Sequence, residues 1–217
     1  MGREDWYRST TWTDEIRDAF EARLRRSRGA FHKAQYLTIQ AGCLASSDDL
    51  ATVAAALALF DRVLTEFPGE TWNEASVHAG RADCLVSLRR ADDALDALRA
   101  SFDAQRREPN FRHPTHLTFA RLVIDTGRAE YFPEARRVLD EFCGDEIFPA
   151  SVFDRDAARA VLAEDAGDLA AARELARSAL DAAAKRESPF RYHRLLGLVR
   201  DPDAELIRRL TSLATSG

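Results

Sequence analysis

The stretch DAGDLAAARELARSALDAA, residues 165–183, decides how this chain is read. Alanine or another small residue falls at 172, 176 and 179, the i, i+4, i+7 spacing that places side chains on one helix face. A face of small residues lets a second helix approach closely. Gly167 stands where a preceding helix must end, and glycine tolerates the positive φ such ends use. The segment contains no alternation of period two, so a strand is excluded and a helix follows.

The same pattern recurs upstream. Ala56, Phe60 and Val63 share the spacing, as do Ala94, Leu98 and Ser101, and then Ala135, Leu139 and Phe142. The leading alanines lie 38, 41 and 37 residues apart, a period that marks a repeat of helix pairs. Small residues of the partner helices precede two of them by twelve positions: Ala82 before Ala94, and Ala160 before Ala172. Ala120 precedes Ala135 by fifteen, which implies a longer turn at 128–132, just after Gly127.

Punctuation outlines the elements. Prolines 68, 109, 114, 133, 149, 189 and 202 cut the chain into helical lengths. The expected helices lie near 13–28, 30–46, 49–67, 71–88, 91–107, 114–126, 133–143, 151–166, 168–186 and 202–214. Thr71 with Glu74 and Ser151 with Asp154 have capping-box spacing, and Asp201-Pro202 reads as an N-cap followed by proline at the first helical position.

The segments 165–183, SLRRADDALDALRASFDA (87–104) and AALALFDRVLTEFP (55–68) resemble the second halves of tetratricopeptide repeats. The resemblance covers about residues 37–183 as four repeats, longer than the family's and mostly without its aromatic and glycine positions. The opening Asp5-Trp6-Tyr7-Arg8 is similar to the start of bacterial tetratricopeptide-like proteins, a likeness that carries no activity. The resemblance implies an all-α fold: an α-solenoid, or helical-repeat array, of about ten helices in one domain, 1–217, with four tetratricopeptide-like pairs. Residues 1–36 and 184–217 would cap its ends. The aromatics Trp6, Tyr7 and Trp12, and the segment Phe190-Arg191-Tyr192-His193, read as those caps, because the terminal faces of a repeat array must be covered.

Composition sets the function classes. Hydrophobic residues make up 46% and charged residues 31% of 217, with a net charge of −5. A mildly acidic chain gives no general electrostatic reason to bind nucleic acid, for which a basic face would be expected. No apolar stretch reaches membrane-spanning length, and the first residues have no signal-peptide core, so a cytoplasmic location is expected. Cys43, Cys84 and Cys143 lack zinc-finger spacing and read as small hydrophobes. Cys84 has no base within reach; His78 lies off its face. His113 and His116 are the nearest thing to a metal pair, but a site would need Asp125 or Glu130 to fold back as third ligand. Paired carboxylates such as Asp48-Asp49 and Asp92-Asp93 suit helix starts. No phosphate-binding or nucleophile motif is present. No cofactor, metal or catalytic residue is therefore expected.

A repeat array offers instead a binding surface. If it curves, the first helices of each pair line the concave side, where Asp83, Ser87, Arg121, Asp125, Glu164 and Asp165 are the candidate partner contacts. Their bias is acidic, which fits a basic or amphipathic segment. The expected function is an adaptor or scaffold for an unidentified protein or peptide. The alternatives are an enzyme built around His113 and His116, and a self-associating structural protein forming homo-oligomers.

Overall fold

A computed structural model describes residues 5–70, 74–144 and 146–215. Among these it shows ten α-helices, two short 3-10 turns and no strand. The helices are α1 (Asp14–Arg26), α2 (Ala30–Ala45), α3 (Leu50–Glu66), α4 (Glu74–Ser87), α5 (Ala91–Arg107), α6 (Thr115–Asp125), α7 (Phe132–Phe142), α8 (Pro149–Asp165), α9 (Leu169–Ala184) and α10 (Ala204–Thr215). No helix among the described residues is long and apolar enough to cross a membrane. The chain divides into two compact units, 1–115 and 116–217.

In the first unit α2 packs on α3, α3 on α4 and α4 on α5. The repeat positions face inward: Ala56, Phe60, Val63, Ala94, Leu98 and Ser101 are all buried. Gly80 on α4 lies against the ring of Phe60 on α3, so glycine there sets how closely the two helices approach. Ion pairs tie each layer to an earlier one at its edge. Arg62 on α3 reaches Glu21 on α1 at 2.5 Å, Arg81 on α4 reaches Asp61 on α3 at 2.6 Å, and Arg107 on α5 reaches Glu74 on α4 at 3.0 Å. Each is partly exposed and so contributes modestly. The N-terminal aromatics cover the start of this unit: Trp6 lies 5.4 Å from Phe20 and 4.8 Å from Tyr36 between ring centres, and Trp12 lies 5.5 Å from Phe20. Buried Gln40 fastens the same segment, accepting from the Ser9 amide and donating to the Ser9 carbonyl.

At the end of this unit a buried polar cluster holds the chain leaving α5. The Ser101 hydroxyl donates to the Ala75 carbonyl at 2.9 Å, and Gln105 Nε2 donates to Thr115 Oγ1 at 2.9 Å. Gln105 Oε1 accepts from the His113 amide at 2.8 Å. One buried glutamine thus satisfies both sides of the turn that contains Pro114.

In the second unit α8 and α9 form the closest pair, with α10 against α9. Ala160 of α8 and Ala172, Ala176 and Ala179 of α9 are fully buried in the seam, joined there by Phe153 and by Leu210 and Leu213 of α10. Small side chains bring backbones together here in place of bulk. Arg177 caps one carbonyl near the end of α10, that of Ala214, by donating to it twice. Gly127 and Gly167 take φ values of 64° and 78°, as expected of helix ends.

Three local expectations need correction. Ala120 and Ala135 are both buried, but α6 and α7 do not pair as closely as the other repeats, because the 3-10 turn Ala129–Tyr131 occupies the longer connection. Helix α8 begins at Pro149, with Phe148 at the cap, which leaves Ser151 inside the helix. The cap of α10 is Asp203, whose carboxylate accepts from the Leu206 amide at 2.7 Å, and Asp201 instead sits at φ 43°. The predicted cap at Thr71 lies outside the described residues.

Candidate functional site

Four of the six expected contact residues belong to the second unit, and the structure separates them by role. Glu164 accepts from Arg209 of α10 twice, at 3.0 and 2.7 Å. Asp165 accepts from Arg136 of α7 at 2.8 Å, and the same guanidinium caps the Leu162 carbonyl. These two carboxylates therefore join α10 and α7 to the C-terminal end of α8. Arg121 and Asp125 line an open groove of about 440 Å³ between α6 and α10.

The groove's walls are Arg121, Ile124 and Asp125 on one side, and Asp203, Glu205, Leu206 and Arg209 on the other. A smaller pocket beside it shares Arg121, Ile124, Asp125 and Leu206 and adds Asp154, Ala157 and Ala158 of α8. Arg121 lies 3.3 Å from Asp125 and 4.0 Å from Asp154. Burial pushes the Asp154 carboxyl above its ordinary value, and Arg121 opposes that. Four carboxylates against two guanidiniums give the groove an acidic balance, and Arg209 is already paired with Glu164. Ile124 and Leu206 form an apolar strip between the charges.

Asp83 and Ser87 belong to α4 of the first unit and line no part of this groove. Both are exposed, and the Ser87 hydroxyl is turned back to the Asp83 carbonyl. The Asp83 carboxyl reaches solvent, yet the protein bordering it pushes its pKa upward. Next to it Cys84 is fully buried, and desolvation pushes its thiol up to about 11, so it is a poor nucleophile at neutral pH.

A second constellation was not visible in the sequence. His116 in the first turn of α6, Cys143 at the C-cap of α7 and Glu146 ahead of α8 bring one donor atom each to within 4.8 Å of one another. His116 is buried, and its Nε2 lies 3.9 Å from Glu146 Oε1. The ring of Phe142 stacks on the imidazole, with centres 6.2 Å apart. His113, the expected partner of His116, belongs to no such group among the described residues. Asp125 is engaged by Arg121, and Glu130 is exposed on the 3-10 turn. Cys143 and Glu146 were missed because only the placement of α7 carries them to His116; the spacing Cys-x-x-Glu alone has no specificity.

No protein-family model matches the chain, and neither a curated protein nor a solved structure matches it.

Proposed function

We propose that this chain is a non-catalytic helical-repeat binding module, whose α6–α10 groove takes a basic, amphipathic segment of a partner protein. The observation that carries the reading is the lining: Asp125, Asp154, Asp203 and Glu205 surround the apolar strip of Ile124 and Leu206. Such a lining complements a peptide with lysine or arginine flanking one or two aliphatic side chains. The buried repeat faces favour a tetratricopeptide-like, solenoid-type construction. Of its twelve pattern positions eleven are buried and Phe142 is half-buried, as a repeat pattern made by packing requires. Adaptor or scaffold action in the cytoplasm follows as part of the same reading.

A displayed random peptide library selected on the purified protein tests this. Enriched sequences are expected to be basic with aliphatic anchors, and to lose about tenfold or more in affinity when Asp125 and Asp203 are changed to lysine. Enrichment indifferent to those reversals, or no enrichment at all, would sink the reading.

A further inference from the structure

We propose that His116, Cys143 and Glu146 form a divalent-cation site of the zinc class, with three protein ligands and one position left to solvent.

The donor set is the first argument. Imidazole, thiolate and carboxylate are the three side-chain ligands zinc accepts, and a mixed N, S, O set suits a borderline-soft ion better than calcium or magnesium. Their arrangement is the second. One donor atom from each residue lies within 4.8 Å of the other two, which gathers a nitrogen, a sulfur and a carboxylate oxygen in one place, as a three-ligand site requires. A tetrahedral zinc would hold these donors about 3.5 Å apart, so the observed spread closes by roughly 1 Å on binding.

Charge is the third argument. Zinc binding displaces the Cys143 proton to solvent; the thiolate and the Glu146 carboxylate then cancel the two charges of the ion, leaving a neutral site that a half-buried position tolerates. The nearby cations are already compensated: Arg159 pairs with Asp140 at 3.0 Å and Arg155 with Asp156 at 2.7 Å. The three ligands come from the start of α6, the end of α7 and the approach to α8, so one ion would tie together segments that α6 and α7 leave loosely paired.

Cobalt(II) titration of the metal-free full chain tests this, because a thiolate ligand adds a charge-transfer absorption in the near ultraviolet. One equivalent is expected to give that band. Cys143→Ser should abolish it and weaken binding at least about tenfold, while Cys43→Ser and Cys84→Ser leave it intact. Glu146→Gln, a change on a partly exposed connection, should keep the band, shift the visible cobalt spectrum and weaken binding about tenfold. Added zinc should raise the thermal midpoint of the wild type and not that of Cys143→Ser. Absence of stoichiometric binding, a band that survives Cys143→Ser, or affinity unchanged in Glu146→Gln would each overturn the proposal. Circular dichroism of every variant confirms that loss of metal is not loss of fold.

Discussion

The ring of Phe60 fills the space that a β-carbon on Gly80 would need. Three of its atoms would lie within 3.0 Å of such a carbon, and they are part of a buried ring on a neighbouring helix. Gly80→Ala is expected to destabilise the first unit by about 1–3 kcal/mol, although alanine is the better helix former. Phe60→Leu alone leaves a gap, but in combination with Gly80→Ala it vacates the contested volume. A double-mutant cycle by urea denaturation should therefore give a cost for the pair smaller than the sum of the singles. Additive costs would mean that the two residues do not limit each other.

Gln105 bonds to both sides of the turn at Pro114 at once, and its loss should be felt at both. Gln105→Ala strands the His113 amide, removes the amide donor to the Thr115 hydroxyl and leaves a small cavity. A loss of about 2–4 kcal/mol is expected from chemical denaturation. Hydrogen exchange should locate it, with the His113 amide losing most protection.

The two aspartates before α10 should respond oppositely. Asp203→Ala removes the cap on the Leu206 amide and is expected to cost about 1 kcal/mol in thermal unfolding of the second unit. Asp201→Gly relieves a left-handed backbone at φ 43° and should be neutral or slightly stabilising.

Two histidines make the first unit sensitive to acid. Burial holds the His113 imidazole below its ordinary 6.5, and burial does the same to His78 against the opposing pull of Glu74. The folded state therefore binds fewer protons than the unfolded one. The stability from this source is complete above the ordinary histidine value, and falls as pH drops through the depressed folded values. Denaturation at about pH 7.5 and about pH 5 should show the decline, and the His78→Gln, His113→Gln double variant should flatten it. The Asp49 cap, held low by Thr52, acts only below the ordinary aspartate range and does not enter this window.

Much of the fold was legible because helix periodicity is a local property. Each of the ten expected helices is present, with the ends that fall among the described residues within three residues of their expected places, and the positions at 56, 60, 63, 94, 98, 172, 176 and 179 lie in the cores they implied. The caps were less legible. Ser151 and Asp201 have the right chemistry, but proline at 149 starts α8 early and the backbone at 201 turns away. The candidate site was legible only in part, because the partners of a charged side chain are chosen across helices. Glu164 and Asp165 satisfied every local criterion for solvent-facing contacts, and arginines from elsewhere in the chain engage them. Arg121 and Asp125 stay on the wall of an open groove, paired with each other. The ligands at 116, 143 and 146 meet through the placement of α7, which no spacing rule encodes.

The alanine seam between α8 and α9 bears on how this chain tolerates change. Ala160, Ala172, Ala176 and Ala179 have no exposed surface, and alanine can shrink only to glycine, which weakens the helix, or grow into a backbone that has no room to retreat. In a mutational scan, these chemically plain positions should be the least permissive in the second unit, more so than the charged residues that draw the eye. Inherited variation would collect on the outer faces and in the connections, while the seam persists as a bare rhythm of small residues, four and three apart.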